Sequence, residues 1–298
     1  MQRRTFIKNT ALCAVAVSAS GFIRLQDNRY VGDCETTSDI LGPFYRPDSP
    51  VRNNLVVPGG TGQLLQLSGI IKHKDCVTPY KNAKIELWHC DEKGVYDNES
   101  DAFLYRGTTY CDDKGRYTFN TILPVPYDVG NGHFRPAHFH LMITAPGYQP
   151  LVTQLYFVGD KNISKDSSAS SPMAKRRILQ MQTLNDGTKK VLYDVSMSQS
   201  LAADAAAIDK LTGTFTNEKD SSKKMEFFKK NDVMWVKNDL FGENLNYTGN
   251  NTFEFGGMPA GMYGRLKFTI LSSGEVQLEH SFLEDDKIKH TEFYSKKK

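Results

Sequence analysis

Gln63-Leu64-Leu65-Gln66-Leu67-Ser68-Gly69-Ile70-Ile71 is a short, partly alternating apolar run, and it follows a segment over residues 30 to 64 rich in Gly, Pro, Asn and Asp. A run of this length, bounded by turn formers, reads as a strand with one face buried. Working outward, Ala83-Lys84-Ile85-Glu86-Leu87-Trp88, Arg116-Tyr117-Thr118-Phe119, His138 to Ile143 and Val152 to Val158 have the same character. No long 3.6-residue periodicity interrupts them, so the segment predicts an all-β sandwich. Val191-Leu192-Tyr193-Asp194-Val195 reads as its last strand. Asp112-Asp113-Lys114-Gly115, ahead of Arg116, predicts a hairpin connection. Asp166-Ser167-Ser168-Ala169-Ser170-Ser171-Pro172 reads as a solvated loop.

Beyond residue 200 the pattern restarts. Ala202 to Asp209 is Ala-rich and predicts one or two helical turns as a connector. Seven short β-type runs follow: Leu211 to Thr216, Met225 to Phe228, Val233 to Lys237, Thr252 to Phe255, Arg265 to Ile270, Val276 to Phe282 and His290 to Tyr294. Their spacing predicts a small antiparallel β-meander or barrel. The expected organisation is an export signal over 1–22, a β-sandwich domain over 23–200, a linker over 201–210 and a small all-β accessory domain over 211–298.

The chain has 298 residues and a formal net charge of +3, with its basic residues dispersed rather than striped, which argues against a nucleic-acid partner. No run of 18 apolar residues occurs, so no transmembrane span is expected. A homo-oligomer is compatible with the sequence. Arg3-Arg4-Thr5-Phe6-Ile7-Lys8, followed by the apolar stretch Ala11 to Ala19, looks like a twin-arginine export signal and predicts a periplasmic or extracellular protein. With Cys13 in that signal, Cys34, Cys76, Cys90 and Cys111 remain; one or two disulfides are expected, with the pairing open.

The densest chemistry lies in Pro124-Val125-Pro126-Tyr127 and Arg135-Pro136-Ala137-His138-Phe139-His140. Side chains alternate along a strand, so His138 and His140 share a face and Phe139 points into the opposite layer. Two imidazoles on one face are a candidate pair of metal ligands. Tyr96 follows Gly94-Val95 just after the Leu87-Trp88 strand, and Tyr127 sits beside prolines. A phenol has a reference pKa of about 10, so it ionises at neutral pH only beside a strong Lewis acid such as Fe(III).

These motifs, with Ile40-Leu41-Gly42-Pro43-Phe44-Tyr45, Arg106-Gly107 and Gln154-Leu155-Tyr156-Phe157, resemble the intradiol ring-cleavage dioxygenases in order and spacing over roughly residues 36 to 197. The resemblance implies a β-sandwich holding one Fe(III) per chain through Tyr96, Tyr127, His138 and His140. It implies O2-dependent cleavage of a catechol-type aromatic diol to a cis,cis-muconate-type diacid, with Tyr127 as the displaced ligand and Tyr96 as the retained one. Arg135 is a permanent cation three residues before His138, suited to developing negative charge. The resemblance implies that Gln154 and Tyr156 line the same cavity, with Leu41 and Pro43 shaping the substrate side. His133 is read as a rim residue.

Two other readings compete. A non-catalytic transthyretin-like or carboxypeptidase-regulatory-like β-sandwich has similar strands but no use for these four side chains together. A zinc hydrolase favours His, Cys and carboxylate ligands over two phenols.

Overall fold

Alternation governs the first long strand, Leu64–Lys72: Leu65, Leu67 and Ile71 are buried while Leu64 is exposed. The computed structural model describes residues 23–26, 29–32, 36–198, 201, 203–230, 232–237, 243–256, 258, 262–284 and 287–296. The signal read over 1–22 and Cys34 lie outside the described residues. Leu64–Lys72 pairs antiparallel with Arg116–Ile122 and parallel with Lys189–Leu192 and Val195–Ser196. A second sheet runs in the order Ile178–Leu179, Leu151–Phe157, His138–Thr144, Lys84–Trp88, Arg106–Tyr110. Leu67 and Phe119 of the first sheet share one apolar core with Ile85, Phe139, Leu141 and Leu155 of the second. The sandwich expected from the sequence is therefore present.

Three local expectations are corrected. The strand read over 191 to 195 is two short strands, broken at Tyr193 and Asp194, where the Tyr193 N–H donates to Ser68 O at 2.9 Å and the Ile70 N–H donates to Asp194 Oδ1 at 3.0 Å. A Cβ on Gly69 would stand 1.8 Å from the Tyr193 carbonyl oxygen, so only glycine admits this crossing. The Asp112–Gly115 turn forms, with Gly115 at φ +70° and its N–H donating to Asp112 O at 2.9 Å. It joins Arg106–Tyr110 of one sheet to Arg116–Ile122 of the other, so it is a corner between layers and not a hairpin. The segment read as a solvated loop is partly built in: Asp166, Ser168 and Ala169 are buried, while Ser167 and Ser170 are exposed. Asp166 Oδ1 accepts the N–H groups of Ser168 and Ala169 at 3.0 and 2.8 Å, which satisfies the folded backbone and permits that burial.

The chain then enters helix Ala205–Leu211, whose first N–H groups are capped by Asp204. Ile208 and Leu211 of this helix are buried in a second core with Phe215, Phe227, Phe253 and Phe268. Eight antiparallel strands, from Gly213–Asn217 to Lys287–Lys296, close this core as a barrel in sequential order. The seven expected runs are joined by Glu243–Gly249, an Asn-rich strand with too few apolar positions to be read from sequence. Among the described residues no helix is long and apolar enough to cross a membrane.

Cys76 is disulfide-bonded, whereas Cys90 and Cys111 are free and buried. Two disulfides among Cys34, Cys76, Cys90 and Cys111 are thereby excluded. Cys111 lies in the core between the sheets and Cys90 on the opposite face with Trp88 and Tyr96, so the two thiols cannot meet.

Candidate metal centre

Strand His138–Thr144 sends Phe139, Leu141 and Ile143 into the core between the sheets and leaves the two histidines on the outer face. Register sets His138 opposite Tyr156, and His140 between Gln154 on one neighbour and Trp88 on the other. His138 Nδ1 lies 2.6 Å from the Pro136 carbonyl, so the proton sits on Nδ1 and Nε2 carries a lone pair. That Nε2 stands 3.1 Å from His140 Nε2. Burial, then the Arg135 cation, pushes the His138 pKa down to about 3. Burial and the neighbouring His138 hold His140 well below the usual range. Both rings are neutral, the form a metal requires. His140 Nδ1 is buried without a hydrogen-bond partner.

The His140 ring is clamped. Trp88 stacks on it at 4.9 Å and 9°. Gly42, at φ +74°, closes over it so tightly that a Cβ would lie 3.0 Å from Cε1.

Tyr96 is positioned by a polar turn: Asp91 Oδ1 accepts the N–H groups of Lys93 and Val95 at 2.9 and 2.8 Å. Its hydroxyl reaches 3.4 Å from His138 Nε2. Tyr127 sits on a two-residue strand paired with Phe134–Arg135, its ring 5.6 Å from that of Tyr96 and 5.7 Å from that of His138. Burial raises the pKa of both phenols, with Tyr127 and Cys90 adding to the effect on Tyr96. Burial thus favours the neutral phenol at both positions, and a bound cation would favour the phenolate.

All four sequence-predicted ligands thus converge. Two nitrogen donors bound to one cation at about 2.1 Å and at right angles stand roughly 3.0 Å apart, which suits the spacing of the two Nε2 atoms. A cation held between the two Nε2 atoms would take a lone pair from each neutral ring. Among the described residues no group of three or more His, Cys, Asp or Glu is placed to hold a metal. The donor set is imidazole and phenol, which fits a hard, highly charged ion better than zinc.

Behind the ligands runs a polar chain. Arg135 donates from Nε to Asp166 Oδ2 at 2.9 Å and from Nη2 to Gln154 Oε1 at 2.9 Å. Gln154 Nε2 donates to Ile40 O at 2.8 Å, and the Tyr156 hydroxyl donates to Asp39 Oδ2 at 2.8 Å. Asp39 and Arg177 form a fully buried ion pair. A cavity of about 810 Å³ opens beside Arg135, walled by Ile40, Val129, His133, Phe134, Lys161 and Lys165 among others.

The residues expected to shape the substrate side do not line this cavity. Leu41 packs on the Trp88, Cys90 and Tyr96 cluster, Pro43 is exposed, and Tyr156 is fully buried beneath Arg135. Ile40, not Leu41 or Pro43, lines the cavity. His133 is at its wall, as read. Sequence reasoning missed Asp39, Asp166, Lys161, Lys165 and Arg177. An acid 31 residues from its arginine leaves no periodic signal.

The fold and donor set define an all-β protein carrying two phenols and two imidazoles clustered on one sheet face. Residues 40–199 match the family profile described as "Dioxygenase", so the chain belongs to the intradiol ring-cleavage dioxygenase family. It is 33% identical over 158 residues to chlorocatechol 1,2-dioxygenase of Rhodococcus opacus, covering 45% of this chain and 61% of that one. It is 36% identical over 147 residues to catechol 1,2-dioxygenase of Candida albicans, covering 41% of this chain and 46% of that one. The solved catechol 1,2-dioxygenase from Acinetobacter sp. ADP1 superposes with a TM-score of 0.50 at 25% identity, over 56% of this chain and 63% of that one. The chain spans about half the length of the curated relatives it matches.

Proposed function

We propose that this protein is an Fe(III)-dependent intradiol dioxygenase that cleaves a catechol-type aromatic with O2 to a cis,cis-muconate-type diacid. The observation that carries the reading is the 3.1 Å approach of two neutral imidazole Nε2 atoms, with the Tyr96 hydroxyl 3.4 Å from one of them and the Tyr127 ring alongside. Tyr96, Tyr127, His138 and His140 would hold the ion. Ferric iron, when bound, supplies the Lewis acidity that binds the catecholate and draws electron density from the ring so that O2 attacks carbon.

The chain's own groups complete the task. Tyr127, half-buried on a two-residue strand, would be the more mobile of the two phenol ligands, in keeping with the displaced role that the resemblance implies. Its Oη would be the base for the proton of one substrate hydroxyl. Pro136 O fixes the His138 tautomer, and the Trp88 stack fixes the His140 ring plane. Arg135, held by Asp166 and Gln154, presents Nη2 to negative charge growing on the substrate. A non-catalytic sandwich would have no reason to collect these groups.

The test is oxygen uptake by the iron-loaded protein with a panel of catechols, read with the ultraviolet absorbance of the muconate product. Uptake with a diacid product is expected; a yellow semialdehyde, or no uptake with any catechol, overturns the reading. We also propose export through a twin-arginine-type signal. The disulfide at Cys76 supports an oxidising compartment.

A further inference from the structure

The cavity beside Arg135 is larger and more cationic than a bare diol needs. At about 810 Å³ it lies in the upper part of the range for ligands well beyond a single ring. One part of its wall is apolar, with Ile40, Pro126, Val129 and Phe134. Val129 and Phe134 are 57% and 49% exposed, an uncovered apolar surface at the mouth. The other part carries Lys161, just before Asn162, and Lys165, the last residue of the short helix Ile163–Lys165.

Each carboxylate near these lysines is oriented by another donor and pairs with neither of them. Among the described residues Asp166 is the one acid lining the cavity, and it pairs with Arg135 at 2.9 Å. Nearby Asp160 accepts the N–H groups of Ala137 and Asn162, at 2.7 and 2.8 Å. Asp128 accepts the Gly130 N–H at 2.8 Å. Among the described residues neither lysine makes an ion pair or a side-chain hydrogen bond. A wall that carries both apolar residues and two ammonium groups without an ion pair suits a ligand with an apolar spacer and an anion.

We infer that the preferred substrate is a catechol whose ring carries an acid-terminated side arm, and that Lys161 and Lys165 bind the carboxylate of that arm. The inference rests on the ring-cleavage reading for the catechol end alone. Lys161 and Lys165 thereby set specificity without touching the reacting atoms.

The test is equilibrium binding, under nitrogen so that no turnover occurs. Iron-loaded protein is titrated with 3-(3,4-dihydroxyphenyl)propanoate and with its uncharged methyl ester. The acid is expected to bind about tenfold tighter than the ester at low salt, the scale of two partly exposed ion pairs, and the advantage shrinks as salt rises. The ratio falls towards one in the Lys161→Gln/Lys165→Gln double variant and below one in Lys161→Glu/Lys165→Glu. Equal affinity of acid and ester in the wild type overturns the inference, as does a tenfold ratio that survives in both double variants. Oxygen uptake with unsubstituted catechol is measured separately. Its absence counts against ring cleavage, while the acid-to-ester ratio still decides the role of the lysines.

Discussion

Arg135 stands directly opposite Tyr127 across the two-stranded ribbon formed by Tyr127–Asp128 and Phe134–Arg135. The pairing sets a permanent cation beside a ligand phenol. Burial raises the Tyr127 pKa, and Arg135 works against that rise. Arg135 itself stays charged despite burial because Asp166 accepts from it. Arg135→Gln removes a donor aimed at developing charge without removing a ligand, so turnover is expected to fall by about a hundredfold or more with iron content retained. Kinetics alongside metal analysis check this. Near-normal turnover in the variant would remove Arg135 from the reaction.

The two kinds of ligand predict different losses. Tyr127 is half-buried on a minimal strand, whereas His138 is 1% exposed and tied to Pro136 O at 2.6 Å. Tyr127→Phe should slow turnover more than it empties the site, and His138→Ala should empty it. Iron per chain and the tyrosinate-to-iron absorption report both. Equal iron retention in the two variants would contradict these roles.

Glycine is required where backbone meets ligand. A Cβ on Gly42 would press on His140 Cε1 at 3.0 Å, and one on Gly94 would meet Tyr127 Cβ at 2.9 Å; both residues also adopt positive φ, +74° and +83°. Gly42→Ala and Gly94→Ala should each cost about 1–3 kcal/mol from backbone strain and overpacking. Gly42→Ala should also weaken metal retention, because the His140 ring must tilt against Trp88. Thermal melts with metal analysis separate the two effects. A Gly42→Ala protein as stable and as iron-rich as the parent would refute the account.

Acid stability carries a signature of His89. This ring is fully enclosed, with Nδ1 2.7 Å from Cys90 O and Nε2 2.7 Å from Thr121 Oγ1, and burial pushes its pKa down to about 4. Unfolded histidine titrates near ~6.5, so between that pH and about 4 the unfolded chain binds the extra proton. Its contribution is complete above pH ~6.5 and is lost as the pH falls towards 4, an effect of about 3 kcal/mol. Denaturant unfolding at pH 7 and pH 5 should show a smaller loss in His89→Gln than in the parent. His138 and His140 are common to both proteins and cancel. Identical pH slopes would show that His89 is not the group responsible.

Period two made much of the centre legible. His138 and His140 had to share a face once the strand was recognised, and Phe139 had to enter the core. What escaped reading depends on long-range polar pairing. The serine-rich segment after Lys165 looks solvated by composition, yet Asp166 turns it inward by capping Ser168 and Ala169 and pairing with Arg135. Strand Arg106–Tyr110 has a polar sequence and is buried because the Arg106 guanidinium finds Asp97 O, Phe44 O and Asn98 Oδ1 at 2.7, 2.6 and 3.0 Å. Asp97 and Asn98 lie in the loop just before the strand, but Phe44 is 62 residues away, and no periodic pattern announces that pairing.

The C-terminal barrel has its own core, and Phe268 is its hub. Its ring lies 5.4, 5.2 and 5.8 Å from those of Phe215, Phe227 and Phe253, in edge-to-face geometry. Truncation to Ala removes all three contacts and opens a cavity, at a cost of about 3–5 kcal/mol. None of the four metal-site side chains belongs to this core. Phe268→Ala should therefore lower the unfolding midpoint of the barrel while leaving iron content and the charge-transfer band intact. Calorimetry should resolve the barrel transition moving down against a fixed sandwich transition, the pattern of two separately cooperative units. A single transition that shifts as a whole, with loss of iron, would mean that the barrel core supports the sandwich and that the two units fold as one.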